Sequence, residues 1–109
     1  MSGISTHVLD TEKGRPAVGV PLTLEYRTGE QYDGEWQLVK NGTTDSNGRV
    51  AQLLPPGEPL QIGAYRLTFR TAGAFFPEVS IVFQVVDASA HYHVPLLLSS
   101  YGYTTYRGS

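Results

Sequence analysis

No stretch of this chain long enough for a helix carries a convincing 3.6-residue apolar period, whereas short runs of strand-type residues recur from end to end. Val20–Tyr26 sets Val20, Leu22, Leu24 and Tyr26 at every second position, which makes a strand with one buried face. Ala64–Phe69 repeats the pattern with Tyr65, Leu67 and Phe69, and Val79–Val86 is a β-branched run. Ile4–Leu9, Glu35–Val39, Arg49–Leu54, His91–Ser99 and Tyr101–Tyr106 bring the set to about eight. Turn chemistry separates them. Asp45-Ser46-Asn47-Gly48 tolerates positive φ at Asn and Gly, Pro55-Pro56-Gly57 stops the strand before it, and Ser100-Tyr101-Gly102 joins the last pair. Many short strands with turn signals between them predict an all-β fold, a two-sheet β-sandwich, in one domain over residues 1–109. Thr71–Phe76 has room for one helical turn and no more.

The sandwich must be held by its core. The chain is 40% hydrophobic, enough for a real core, and has no cysteine, which removes disulfides and thiolate-based zinc or redox chemistry. Pro95 lies inside His91–Ser99 and cannot donate to a ladder, so that strand is expected to have one side without a backbone partner there. Final strands at a sheet edge of this kind are often covered by another subunit.

Charge excludes other classes. With 8 Lys+Arg against 10 Asp+Glu and no basic stripe, the chain does not fit a nucleic-acid binder, whose affinity comes mostly from neutralising phosphates. Apolar runs such as Val94–Leu98 fall far short of the roughly 20 residues of a membrane span, so no membrane partner is expected. The first residues show no basic segment followed by an apolar one, which predicts a cytoplasmic protein.

Three side chains stand out for chemistry: His7, Arg49 and His93, with His91 close by. By alternation His7 shares a face with Ser5 and Leu9, and His93 shares one with His91, Pro95 and Leu97. Taken singly, each histidine reads as an ordinary solvated or hydrogen-bonded side chain, and an arginine after a turn as a surface residue. His91 and His93 at i, i+2 are also spaced to bind a metal, with His7 as third ligand of a zinc site that would use every histidine in the chain. The last ten residues, with three tyrosines and an arginine, read either as a final edge strand or as part of a site.

The segments Ser5-Thr-His-Val-Leu-Asp10, Gly14-Arg-Pro-Ala17, Thr44-Asp-Ser-Asn-Gly-Arg49, Phe76-Pro-Glu-Val79, His91-Tyr-His-Val-Pro-Leu-Leu-Leu-Ser99 and Tyr106-Arg-Gly-Ser109 resemble the 5-hydroxyisourate hydrolases, or transthyretin-related proteins, in order over almost the whole chain. The hormone carrier transthyretin shares the fold, but carries non-catalytic residues where this chain has His7, Arg49 and His93 and lacks the Tyr-Arg-Gly-Ser ending. Ser100 stands where many members have Pro, and Thr104 where many have Ser. Most members also have a longer segment before Phe76-Pro77, so the family's short helix is expected to be shortened or absent here.

The resemblance implies a transthyretin-like sandwich assembled as a homotetramer, a dimer of dimers, with the active sites in a channel where the dimers face each other. It implies hydrolysis of 5-hydroxyisourate, a small-molecule substrate from urate oxidation, to 2-oxo-4-hydroxy-4-carboxy-5-ureidoimidazoline, with no cofactor and no metal. The catalytic set it implies is His7, Arg49 and His93. His7 is favoured as general base, Arg49 as electrostatic anchor, and His93 holds water or substrate, although the sequence leaves open which histidine is the base. Substrate-binding positions follow as Tyr106 and Ser109 from the tail that closes the channel, and Leu9, Pro95 and Leu97 from its lining. His91 stays outside the catalytic set and Arg107 points the other way. The competing readings are a transthyretin-like carrier of small aromatic ligands, a zinc-dependent amidohydrolase built on the three histidines, and an adhesion-type sandwich module, which the missing disulfides disfavour.

Overall fold

In the computed structural model, residues 3–27, 34–54 and 60–108 are described. Nine strands follow in order: β1 (Gly3–Asp10), β2 (Arg15–Pro16), β3 (Pro21–Arg27), β4 (Trp36–Thr43), β5 (Arg49–Leu54), β6 (Gly63–Phe69), β7 (Val79–Val85), β8 (His91–Leu98) and β9 (Tyr103–Thr105). They form two sheets. One runs β4-β3-β6-β7 and is antiparallel throughout. The other runs β2-β1-β8-β9, with β5 pairing the same edge of β1 as β2 does. Within it β1 and β8 are parallel, joining the start of the chain to its end.

The inner faces meet in one core. Ile4 and Val8 of β1, Leu24 of β3, and Leu67 and Phe69 of β6 are fully buried, and the alternation that marked β3 and β6 in the sequence supplies them. Each such side chain is worth about 1.5–3 kcal/mol relative to exposure. Among the described residues no helix occurs, and none is long and apolar enough to cross a membrane. Thr71–Phe76 forms bends instead of a helical turn: the Thr71 hydroxyl donates to the Phe76 carbonyl and the Ala72 amide to the Pro77 carbonyl.

Three boundaries differ from the sequence pattern. The expected Glu35–Val39 strand extends to Thr43, because Gly42 offers no Cβ to the neighbouring Leu53, Leu22 and Val50 side chains and packs among them in line with β3. Arg15–Pro16 adds a two-residue strand against Leu9 and Asp10 that is too short to show a pattern. The expected Tyr101–Tyr106 strand shrinks to Tyr103–Thr105, and Pro95 gives the reason. The β8–β9 ladder holds from Leu98↔Tyr103 to Leu96↔Thr105 and stops where Pro95 has no N–H to give; there the Thr105 hydroxyl donates to the Pro95 carbonyl at 2.8 Å. The same register resumes at a single bridge, His93↔Gly108, which sets Tyr106 opposite Pro95. The Pro55-Pro56-Gly57 stop lies outside the described residues.

Candidate active site

Register brings the predicted residues together. His7 lies directly opposite Arg49 across the β1–β5 ladder, and Ser5 lies opposite His93 across the β1–β8 ladder. Residues opposite each other in a sheet share a face, here the outer one, since Ile4 and Val8 of β1 and Tyr92, Val94 and Leu96 of β8 face the core. An open cleft of about 250 Å³ results, lined by Ser5, Thr6, Arg49, Ala51, His91 and His93.

The Asp45–Gly48 turn positions one side of it. Asp45 Oδ1 accepts the amides of Asn47 (2.8 Å) and Arg49 (3.0 Å), an Asx-type turn that starts β5 at Arg49. The bond from the Arg49 amide, then that from Asn47, holds the Asp45 carboxyl below the usual carboxylate value. Gly48 has φ +75°, and a Cβ there would stand 2.4 Å from the Val8 carbonyl, so only glycine lets the turn lie this close to β1. The turn also fixes His7. Its Nε2–H donates to the Asn47 carbonyl at 2.9 Å; a carbonyl only accepts, so the proton is on Nε2 and Nδ1 carries the lone pair of the neutral ring. Among the described residues the Arg49 guanidinium has no ion-pair partner, and its donors remain available to a bound oxygen.

The other side is held by Ser5, which is 7% exposed. Its Oγ lies 2.8 Å from His91 Nε2 and 2.8 Å from His93 Nδ1. His93 Nε2 is thereby the nitrogen left for a ligand. Burial, and then the nearby His7, His91 and Arg49, push the His93 pKa below the ordinary imidazole value. A half-buried, neutral imidazole beside a guanidinium can abstract a proton while developing negative charge is met across the cleft. This favours His93 over His7 as the base. Gly108 completes the wall: its amide donates to the His93 carbonyl at 2.8 Å, and a Cβ there would stand 2.5 Å from His93 Cδ2.

The remaining sequence-predicted positions divide. Leu9 and Leu97 lie opposite each other, on the site's face but outside the cleft. Pro95, opposite His7, is buried between them and the cleft. Tyr106 is exposed on the same face and does not line the cleft. Ser109 lies outside the described residues. Arg107 points the other way, its guanidinium 4.3 Å from the Tyr92 ring centroid. Ser5 was not singled out as a site residue from the sequence, where it opens the first segment of the resemblance and shares a face with His7. The zinc reading loses its geometry: Ser5 occupies the space between the His91 and His93 nitrogens, His7 Nε2 is tied to a carbonyl, and among the described residues no three potential ligands converge.

A family model described as HIUase/Transthyretin family matches residues 4–108. A 5-hydroxyisourate hydrolase of Salmonella typhimurium is 41% identical over 114 residues, covering 97% of this chain and 80% of that one. The uric acid degradation bifunctional protein TTL of Arabidopsis thaliana is 44% identical over 97% of this chain, which matches 37% of its length. The solved structure of Klebsiella pneumoniae 5-hydroxyisourate hydrolase superposes with a TM-score of 0.78 at 35% identity, covering all of this chain and 94% of that one.

Proposed function

This chain belongs to the HIUase/Transthyretin family, and from that premise and its own cleft we propose how it acts. It is an enzyme, a 5-hydroxyisourate hydrolase of urate degradation. One domain carries the activity, and His7, Arg49 and His93 are its catalytic residues.

The reaction adds water across a cyclic amide. His93 Nε2 takes a proton from water, and the hydroxide adds to the carbonyl carbon. The negative charge that develops on oxygen faces the Arg49 guanidinium, whose planar set of donors can meet it. The C–N bond then breaks, and the His93 imidazolium returns its proton to the leaving nitrogen, so acid and base are one group used twice. His7, with Nδ1 open and its ring fixed by Asn47, orients the substrate beside Arg49. The product is 2-oxo-4-hydroxy-4-carboxy-5-ureidoimidazoline.

The observation that carries this reading is the shared rung of His7 and Arg49 beside His93, because a carrier of small aromatic ligands has no use for His7, Arg49 and His93 gathered on one sheet face, with Arg49 and His93 lining the cleft and His7 beside it. Tyr106, Ser109, Leu9, Pro95 and Leu97 bind substrate in the assembled protein, a homotetramer of paired dimers whose clefts open on a channel. Support for the assembly comes from the edges at β7 and β9, which have no strand partner among the described residues, and from exposed Phe75, Tyr101, Tyr103 and Tyr106. A cysteine-free composition suits the cytosol.

The test is ultraviolet spectroscopy of freshly generated 5-hydroxyisourate with and without the protein. Decay should accelerate over buffer and survive a chelator. No acceleration would sink the hydrolase assignment, and loss on chelation with recovery on adding zinc would sink the metal-free mechanism.

A further inference from the structure

Ser5 Oγ is the one atom of the site in contact with two histidines, and it carries a single proton. Two arrangements satisfy both 2.8 Å contacts and also give the hydroxyl proton a ring nitrogen as acceptor. Either His93 Nδ1–H donates to Oγ and the hydroxyl donates to His91 Nε2, or the direction is reversed throughout. In the reversed case His93 Nδ1 accepts the hydroxyl proton, so neutral His93 carries its own proton on Nε2 and has no lone pair toward the cleft. We propose that Ser5 and His91 are positioning residues of the hydrolase, forming the chain His93 Nδ1–H to Ser5 Oγ–H to His91 Nε2, which leaves His93 Nε2 as the base. The inference rests on the proposed function, and it assigns work to a residue that the sequence reading left outside the catalytic set.

Geometry supports the chain. Ser5 is 7% exposed at the cleft, and among the described residues the side-chain partners of its hydroxyl are the two ring nitrogens. His91 is exposed, and its Nδ1 faces Gly3, where a Cβ would stand 3.1 Å away, so glycine at the start of β1 makes room for the ring. Parallel pairing of β1 and β8 sets Gly3 opposite His91 and Ser5 opposite His93, which places the hydroxyl between two rings on one strand. When His93 takes up a proton, Nδ1–H keeps donating to Ser5, so the same bonds serve both states of the ring. The tautomer of a histidine is set by the bond its other nitrogen makes, and here that bond is anchored two residues along the same strand.

The test separates this from a structural role and from the hydrolase assignment. In protein with ¹⁵N-labelled histidine, at a pH above the ordinary imidazole value, two-bond ¹H–¹⁵N correlation should show His93 protonated at Nδ1. Ser5→Ala and His91→Leu should move the proton to Nε2 and lower kcat by about tenfold or more, with KM changed much less. His91→Gln places an amide oxygen near the Nε2 position, able to accept the Ser5 proton, and should recover the Nδ1–H state and most of the loss seen in His91→Leu. His93 found protonated on Nε2 in the parent protein would overturn the proposal. So would parent-like kcat in both Ser5→Ala and His91→Leu, since His91 is exposed and the second variant tests the chain without touching the core. A parent protein that fails to accelerate 5-hydroxyisourate decay would instead sink the hydrolase assignment, while the tautomer measurement would still decide the chain.

Discussion

Replacing Gly108 with alanine tests whether the base is held where the mechanism needs it. The ideal Cβ falls 2.5 Å from His93 Cδ2, 3.3 Å from Cγ and 3.4 Å from Cβ. Ordinary carbon contacts begin near ~3.5 Å, so ring and backbone must separate by about 1 Å. Two movements achieve this. If the 106–108 segment lifts away, it loses the Gly108 amide bond to the His93 carbonyl and the seat of Arg107 over Tyr92. Those are worth about 1 kcal/mol and about 0.5–1 kcal/mol. If the ring swings instead, it stretches or breaks the 2.8 Å bond to Ser5, at about 1 kcal/mol. The ring is thus the cheaper part to move. A 1 Å misplacement of a catalytic group can cost about 10²-fold in rate, so Gly108→Ala should lower kcat/KM about 100-fold in the ultraviolet assay while global stability falls by only about 1 kcal/mol in thermal or denaturant unfolding. Gly102→Ala is the control: its Cβ meets nothing nearer than Ser99 Oγ at 3.5 Å, and activity should remain near the parent's. Gly108→Ala with activity within about threefold of the parent would refute the idea that this close approach holds His93.

Alanine at His7, Arg49 or His93 should each lower kcat/KM about 100-fold or more, as loss of a positioned acid–base or charge-stabilising group does; a parent-like rate for His93→Ala would return the base to His7. The acid limb of the kcat/KM–pH profile should lie below the ordinary imidazole value of ~6.5, because His93 must be neutral to act and its pKa is lowered by burial and by the facing His7, His91 and Arg49. In the same sense, stability contributed by neutral His93 is full above the unfolded value and is lost as pH falls through the lower, folded one. A limb above neutrality would contradict that assignment. Sedimentation at micromolar concentration should give four times 11.9 kDa, and a fully active monomer would remove the channel from the mechanism.

Eight strands were legible because each is a local pattern: alternation in β3 and β6, a β-branched run in β7, an Asx turn before β5. The two-residue β2 has too few positions to alternate. The shortened β9 required knowing which neighbour Pro95 faces, and that is a property of strand order. Likewise His7, Arg49 and His93 were recognisable as residues, since their motifs are local, whereas Ser5 and His91 act through a parallel register linking residues 86 and 88 positions apart. Nothing near Ser5 in the sequence encodes that pairing; it follows from both sheets closing on one core. Tyr106 and Leu97 illustrate the converse, because their motifs were plain while neither lines the cleft.

Every side chain of the cleft hangs from β1, β5 or β8, and the chain's one tryptophan sits elsewhere. Trp36 begins β4 opposite Arg27, on the second sheet. The Arg66 and Arg27 guanidinium carbons lie 4.6 and 5.0 Å from its ring centroid, and Arg66 is anchored in turn by Glu25 at 2.8 Å. Intrinsic fluorescence of this protein therefore watches the outer face of the β4-β3-β6-β7 sheet. Its emission reports loss of that sheet on unfolding and is blind to ligand entering the cleft, so titrations of the site need a reporter attached on the other sheet.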